Sequence, residues 1–185
     1  MSEQKLKTRE EVAGSDKWAV EKIYPNSKAW KTDFEGLKKN AENLSGYAGK
    51  LNQSDQLLQF LQLMEKLNRM AEKLAVYAEM RADEDTANPE YMALKSAING
   101  YISELMSKES FFEPEILSYP EDAVRKELAE KPELEKYQFA FKNIFRQKPH
   151  TLDKKSEAIL AAVSDCLESP EKSYTLLTNA DMTFP

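Results

Sequence analysis

The residues of this sequence that could perform chemistry are few, and the densest group of them is acidic. Three acidic residues, 83 to 85, stand in a row within the stretch YAEMRADEDTANPEY. An EF-hand calcium loop needs glycine at its sixth position and glutamate at its twelfth, but counting from Asp83 those positions hold Asn88 and Leu94. We therefore interpret the acidic run as a solvated turn between two helices rather than as a metal site.

The only histidine and the only cysteine give the chain little catalytic capacity. His150 comes just before Asp153, which can cap a following helix, so we interpret the imidazole as a capping or loop-packing group and leave contact with a substrate open. Cys166 lies at helical spacing with Ile159 and Val163, which favours a buried thiol over a nucleophile. The motifs HExxH, GxSxG, GxGxxG and the Walker A loop do not occur. The sequence therefore predicts neither a catalytic nor a metal-binding residue.

Three tyrosines are the other side chains for which a role in binding stays open. The hydroxyl groups of Tyr77, Tyr91 and Tyr101 could donate and accept hydrogen bonds along the backbone of a peptide in a channel. Packing between helices is nevertheless the favoured interpretation for all three. Together with His150 they are the candidate residues of a substrate channel.

The composition predicts a helical protein and disfavours several classes of function. The chain has 185 residues, 41% of them apolar, and only five glycines, which is few for the tight turns of an all-β fold. Its net charge is −6 and its basic residues are scattered, so nucleic-acid binding is disfavoured. We predict neither a signal peptide nor a membrane span, because the first 17 positions are mostly polar and no long apolar run occurs. A single cysteine fits a reducing cytosol, so we expect a cytoplasmic location.

Two helices follow from apolar residues that recur every three or four positions. The first begins at Ser27 and stops in the glycine-containing stretch SGYAGK. The second runs from about Asp55 to Arg81, with Ser54 or Asp55 predicted as its N-cap. The residues predicted to face the core are Trp30, Phe34, Leu37, Ala41 and Leu44 in the first helix and Leu57, Phe60, Leu61, Met64, Leu67, Ala71, Leu74 and Ala78 in the second.

A third long helix is predicted to begin at Asn88-Pro89, because asparagine is a favoured N-cap and proline is well tolerated at the first helical position. It continues toward Phe112 and should lie antiparallel to the second helix, since the connection between them is short. Beyond Phe112, repeated prolines predict shorter helices at about 114–118, 121–130, 132–147, 154–168 and 170–178.

The predicted fold is therefore all-α, with two long antiparallel helices and several shorter helices in an array. We expect residues 1–17 to form a flexible tail and residues 18–185 to form the helical domain, with a long-helix part at 18–112 and a short-helix part at 113–185. The final TNADMTFP has lost the helical period, and we interpret it as an extended segment at the C-terminal end that requires a partner.

Five short signatures, in this order, resemble one protein family. They are WAVEKIY followed by Trp30, then KLAVYAEMRADEDTANPEY, FFEPEIL, FRQKPHTL and YTLLTNADMTF. Together they are similar to the N-terminal region of oligoendopeptidase F, a zinc metallopeptidase that resembles thimet oligopeptidase. The resemblance spans essentially residues 18–185, and it rests on the order of the motifs rather than on any single one.

The resemblance implies a parent protein of several hundred residues. In that family, HExxH and a downstream glutamate in the C-terminal half bind zinc, while the N-terminal helices form one wall of a deep channel over the active site. None of the zinc ligands has a counterpart among these 185 residues, so no cofactor is expected in this chain. The resemblance thus implies a lobe that is inactive alone, with the C-terminal catalytic domain of the same polypeptide and an oligopeptide substrate as its partners.

Two other possibilities stay open at the level of sequence. The chain could be a free-standing helical module that binds a partner helix or a peptide. It could also form a dimer through apolar surface that a missing lobe would otherwise cover.

Overall fold

Helices make up almost all of the regular structure in the part of the chain that is described. The computed structural model describes residues 11–85, 87–150, 169–170, 173–174 and 177, and it has no β-strand among them. Within residues 11–150 the α-helices are α1 (Ser27–Ala41), α2 (Ser54–Glu84), α3 (Pro89–Glu109), α4 (Phe112–Ser118), α5 (Glu121–Glu130) and α6 (Gln138–Gln147). Short 3-10 helices lie at Gly14–Asp16, Val20–Lys22, Leu44–Tyr47, Pro132–Tyr137 and Lys148–His150. The all-α class predicted from the sequence is confirmed.

Helix α1 begins where its sequence predicts and buries the predicted face. The side chain of Asn26 caps the helix by accepting a hydrogen bond from the Ala29 N–H at 3.0 Å. Trp30, Phe34 and Leu37 are buried, with Trp30 only 1% exposed. The α-helical part ends at Ala41, and the last predicted stripe residue, Leu44, is buried in the 3-10 helix that follows.

Helix α2 is longer than predicted, and its predicted N-cap is wrong. Gln53 occupies the cap position and makes no hydrogen bond with its side chain. The carboxylate of Glu127, in α5, instead accepts a hydrogen bond from the Ser54 N–H at 2.9 Å, and the Ser54 hydroxyl donates to Glu130 at 3.3 Å. A capping group from a distant helix satisfies the free N–H group at the start of α2, so neither the Ser54 nor the Asp55 side chain acts as the cap.

The acidic run lies at the end of α2 rather than wholly in a turn. Asp83 and Glu84 still belong to the helix, and the Asp85 carboxylate accepts a hydrogen bond from the Ala87 N–H at 3.0 Å. The Glu84 side chain is only 9% exposed, so the interpretation that all three acids lie in water is wrong for it. The predicted cap of α3 is confirmed, since the Asn88 side chain accepts hydrogen bonds from two backbone N–H groups at the start of that helix.

Helices α2 and α3 are antiparallel, as predicted. Near one end of the pair, Lys95 Nζ lies 2.6 Å from Glu79 Oε2. Near the other end, the ring centres of Phe60 and Phe111 are 5.4 Å apart. Because Glu79 is late in α2 and Lys95 is early in α3, the two helices must run in opposite directions. The interior of this hairpin is apolar, and its least exposed side chains include Leu57, Phe60, Leu67, Leu74, Tyr77 and Ile98.

The helices after Phe112 follow the prolines, with one difference from the prediction. Helices α4 and α5 form where short helices were predicted. The single helix predicted at 132–147 is instead a 3-10 helix, Pro132–Tyr137, followed by α6. A 3-10 helix has three residues per turn, so Leu134 and Tyr137 fall on the same side, and both are buried. Phe141 of α6 then packs edge-on against Phe112, with the ring centres 5.9 Å apart.

The Glu115 carboxylate ties the loop before α2 to α4. It accepts hydrogen bonds from the Gly49 N–H at 2.7 Å and the Leu51 N–H at 2.9 Å, and from the Tyr119 hydroxyl at 2.9 Å. Burial and this carboxylate raise the pKa of Tyr119 to about 12, so the hydroxyl remains a donor. Gly49 adopts a φ of 77°, a conformation that other residues rarely accept. The carboxylate therefore holds a tightly turned loop in place.

Replacing Glu115 with alanine should lower the free energy of unfolding by about 1–3 kcal/mol, because two N–H groups and a hydroxyl lose a charged acceptor. Urea unfolding followed by circular dichroism measures the change. Glu113→Ala is the matched control, since Glu113 also lies in the first turn of α4 but is exposed. Equal losses in the two variants would mean that the hydrogen bonds of Glu115 do not stabilise the loop.

Glu109, at the end of α3, is a carboxylate whose burial has a pH-dependent consequence. Burial raises the pKa of Glu109, and its Oε1 atom has no hydrogen-bond partner within the described residues. The folded state therefore holds the proton more tightly than the unfolded state, and stability falls as the pH rises from the unfolded pKa through the folded pKa. Glu109→Gln should raise the urea midpoint at neutral pH, and the gain should shrink in acid. A gain of equal size at neutral and at acid pH would mean that the charge of Glu109 does not affect stability, and it would contradict this account.

Two compact units divide the chain, Met1–Lys142 and Asn143–Pro185. The first contains α1 to α5 and the beginning of α6. The predicted domain boundaries stay predictions, although residues 14 to 16 of the predicted tail form a 3-10 helix. The helix predicted at 154–168, most of the one at 170–178, the TNADMTFP segment, Asp153 and Cys166 all lie outside the described residues. Among the described residues, no helix is both long enough and apolar enough to cross a membrane.

Candidate functional site

A partly buried arginine marks the corner between the two long helices. The Arg81 guanidinium lies 5.4 Å from the ring centre of Tyr77 and 5.8 Å from that of Tyr91. Its Nη1 donates a hydrogen bond to Glu84 Oε2 at 2.8 Å. The side chains of Arg81 and Glu84 are only 14% and 9% exposed. The corner therefore contains an enclosed ion pair between two aromatic rings.

The electrostatics of this corner favour a structural role. Burial alone would lower the pKa of Arg81, but hydrogen bonds with Tyr77 and Glu84 outweigh it, and the pKa is raised. The guanidinium thus stays charged, and Glu84 neutralises it locally. An enclosed pair of this kind fixes the geometry of the groups around it rather than offering a charge to a ligand.

The predicted channel residues have very different access to solvent. Tyr77 is 1% exposed and packs edge-on against Tyr24, with ring centres 5.4 Å apart. Tyr101 is 6% exposed and lies 5.6 Å from Phe34, and its burial raises the pKa of its hydroxyl. In this chain both rings are part of the helical core.

The other two candidates are more accessible. Tyr91 is half-buried near the start of α3, and His150 is exposed at the end of its 3-10 helix. The structure brings Tyr77 and Tyr91 together through Arg81. Tyr101 lies ten residues beyond Tyr91 on the same helix, which is about 15 Å along the axis. His150 belongs to the second compact unit. A role for these four side chains in a substrate channel stays a prediction.

A cavity of about 350 Å³ opens beside the corner. Trp18 lies on its wall, and 70% of the Trp18 surface is exposed to solvent. In the sequence, Trp18 stands out only as part of a family signature. Its position in a mostly polar segment is a second signal, because an indole there indicates a special environment. The lining residues are Val12, Asp16, Lys17, Trp18, Met80, Asp83 and Glu84.

The acids of this cavity do not make a zinc site. Within the residues that the structure describes, no group of three or more His, Cys, Asp or Glu side chains is placed to hold a metal ion. A catalytic zinc takes about three protein ligands together with a water molecule. The described residues therefore do not fit a zinc ion, and we derive no catalytic step from them.

One side of α3 is exposed and carries little charge; it faces away from α2, and we name it the outer face of α3. All ten of its residues are exposed, and only one of them is charged. In α1, by contrast, five of the six exposed residues are charged. Sequence reasoning followed the buried stripe of α3 and missed the lack of charge on the opposite side. The outer face consists of Met92, Ala93, Ser96, Ala97, Asn99, Gly100, Ser103, Glu104, Met106 and Ser107.

Comparisons with known proteins identify relatives along almost the whole chain. A family model described as Oligopeptidase F matches residues 115–184. The chain is 38% identical over 181 residues to Oligopeptidase PepF of Bacillus subtilis (strain 168), a match that covers 97% of this chain and 27% of the relative. It is 32% identical to Group B oligopeptidase PepB of Streptococcus agalactiae serotype III (strain NEM316), covering 96% of this chain and 30% of the relative.

A solved structure with the same fold is also similar in sequence. The crystal structure of oligoendopeptidase-F from Enterococcus faecium matches with a TM-score of 0.69 and 27% identity, over 86% of this chain and 32% of that chain. The chain thus spans less than a third of the length of the relatives that it matches. In sequence and in fold, this chain matches the N-terminal region of oligoendopeptidase F proteins.

Proposed function

We propose that this chain is the non-catalytic N-terminal lobe of a zinc-dependent metalloendopeptidase that cleaves oligopeptides, and that it forms one wall of the substrate channel. The observation that carries the proposal is the match to Oligopeptidase PepF, which covers 97% of this chain but only 27% of that protein. A region of that extent is the size of a lobe rather than of a complete enzyme.

The chemistry of the chain supports a division of labour within the parent polypeptide. A zinc peptidase of the HExxH type needs two histidines at i and i+4 on one helix, and this chain has a single histidine. When bound in the remainder of the polypeptide, zinc would activate the water that attacks the peptide bond. The residues of this chain would instead shape the access of peptides to that centre.

The packing of the described helices suits such a wall. Steric selection needs surfaces that keep their shape. The Arg81 guanidinium joins α2 to α3 through the Tyr91 ring, and the contact of Phe34 with Tyr101 joins α1 to α3. A stiff wall admits an extended peptide and excludes a folded protein. We also propose a cytoplasmic location, where short peptides released by other proteases would be the substrates.

A comparison of substrate sizes tests the wall. The complete polypeptide encoded by the reading frame that contains this chain would be assayed on a quenched peptide of about ten residues, and on the same peptide inserted in a surface loop of a folded carrier protein. We expect cleavage of the free peptide and at least about a hundredfold slower cleavage of the inserted one, a ratio of the size by which enzymes discriminate between substrates. Equal rates would rule out a wall that selects by size.

The alternative is a free-standing helical interaction module, and the outer face of α3 is the observation that favours it. Exposed Met92 and Met106 on a helix face with little charge could receive a partner helix. The reading frame separates the two functions. A frame that continues into an HExxH segment supports the peptidase lobe, whereas a frame that stops after Pro185 supports the module.

A further inference from the structure

We propose that the outer face of α3 is the surface on which the remainder of the peptidase polypeptide docks, through a helix with an apolar stripe. This inference rests on the proposed function and adds to it the surface that joins the lobe to the rest of the protein. Three separate properties of the face support it: exposed apolar side chains, a lack of charge, and a glycine that the chain's own packing does not require.

The exposed apolar side chains lie on one side of the α2–α3 hairpin. Met106 is 67% exposed and Met92 is 43% exposed. Val76 of α2 is also 43% exposed and lies one turn before Glu79. The Glu79 carboxylate pairs with Lys95, which lies one turn after Met92 in α3. The pair therefore places Val76 on the flank of the hairpin that adjoins this face. Methionine suits such a surface because its flexible thioether adapts to the shape of a partner.

The lack of charge distinguishes α3 from the other long helices. A helix that faces water on one side normally carries charged and polar residues on that side, while a helix that is apolar all around is normally buried. Helix α3 already buries Leu94, Ile98 and Leu105 against the rest of the unit. Its outer face carries one charged residue, Glu104, and is therefore much less charged than the exposed side of α1.

Gly100 is the third observation. A Cβ atom added at Gly100 would meet nothing within 4 Å, so the glycine is not required by any neighbour in the described structure. Glycine inside a helix costs about 1 kcal/mol relative to alanine, and the chain carries that cost in the middle of α3. Ser96 and Ser103 stand four residues before it and three after it on the same side. Small side chains at this spacing let a second helix approach closely.

The occupant follows from the length of the relatives. The match to Oligopeptidase PepF covers 27% of that protein, so more than two thirds of the family polypeptide lies outside the region described by this chain. That part is large enough to cover the outer face of α3, which spans residues 92 to 107. A second copy of this chain is the competing occupant, because a two-fold dimer would pack this face against itself, and the oxidation experiment separates the two.

Methionine oxidation by hydrogen peroxide tests the proposal without a change of sequence. The rates at Met92 and Met106 would be measured by peptide mass spectrometry in the 185-residue chain and in the complete polypeptide. We expect both methionines to oxidise at least about tenfold more slowly in the complete polypeptide, because oxidation follows exposure. Equal rates in the two proteins would overturn the proposal. Protection in the 185-residue chain that increases with concentration, together with a doubled mass in light scattering, would also overturn it in favour of a second copy.

A variant pair makes the test specific to the face. Gly100→Leu should stabilise the 185-residue chain, since leucine is the better helix former and the site is open. In the complete polypeptide the same change should restore rapid oxidation of Met92, because the added side chain blocks close approach. Asn68→Leu, at an exposed position within α2, is the control and should leave the protection intact. Protection that survived Gly100→Leu would contradict close helix packing at this site.

The outcomes separate this proposal from the proposed function. A complete polypeptide that cleaves oligopeptides but leaves both methionines reactive would refute the docking surface alone. A reading frame that stops after Pro185 would refute the peptidase lobe and with it the docking surface.

Discussion

Replacing Trp30 with alanine should lower the free energy of unfolding by about 3–5 kcal/mol, the largest loss that we expect from a single core residue. Trp30 is 1% exposed, and its ring stacks on that of Phe34 with the centres 4.9 Å apart. Its Nε1 atom donates a hydrogen bond to the Leu74 carbonyl oxygen at 2.9 Å, which links α1 to α2. The substitution removes both the ring and this link and leaves a cavity between the helices.

Urea unfolding followed by circular dichroism measures this loss, and the other tryptophan is its control. Trp18 is 70% exposed, so Trp18→Ala should change stability by no more than about 0.5 kcal/mol. Trp30→Phe should fall between the two, because it keeps most of the apolar volume but loses the hydrogen bond. Similar midpoints for Trp30→Ala and Trp18→Ala would contradict the packing described for α1.

Replacing Arg81 with methionine should lower the free energy of unfolding by about 3–5 kcal/mol, the range found when one partner of a buried ion pair is removed. The Arg81 and Glu84 side chains are 14% and 9% exposed, so Glu84 would lose a charged neighbour in a site that water reaches poorly. The contacts of the guanidinium with the Tyr77 and Tyr91 rings would be lost as well. The end of α2 should therefore become the least stable part of the long hairpin.

An exposed arginine–glutamate pair provides the control for this second loss. Arg125 Nη2 lies 2.5 Å from Glu121 Oε1, but these side chains are 60% and 44% exposed. Arg125→Met should therefore cost less than about 1 kcal/mol. Hydrogen exchange in Arg81→Met should also show faster opening of the last turns of α2 than of its first turns. Uniform exchange along α2, or equal losses in the two arginine variants, would show that burial does not strengthen the Arg81–Glu84 pair.

Much of the fold could be predicted from the sequence because it depends on local periodicity. The stripe from Trp30 to Ala41 and the Asn88-Pro89 start of α3 are recorded in neighbouring residues, and the structure confirms both. Helices α4 and α5 follow from prolines in the same way. Each of these features depends on residues no more than a few turns apart.

The features that the sequence did not predict depend on contacts between distant residues. The cap of α2 is Glu127, 73 positions after Ser54, and no local pattern indicates it. Glu84 looked solvated because it stands between two other acids, yet it lies largely buried against Arg81. The sequence shows that one side of α3 carries little charge, but the significance of that side becomes clear only when the neighbours of α3 are known.

The turnover of a quenched oligopeptide by the 185-residue chain, with zinc present, tests the central claim most directly. The measurement compares the chain alone with the complete polypeptide at equal molar concentration and repeats both with His150→Ala, which replaces the only histidine of the chain. We predict turnover by the complete polypeptide and none above the buffer rate by the chain alone. Zinc-dependent turnover by the chain alone, whether it persists or is lost in His150→Ala, would contradict the claim that catalysis lies outside this lobe.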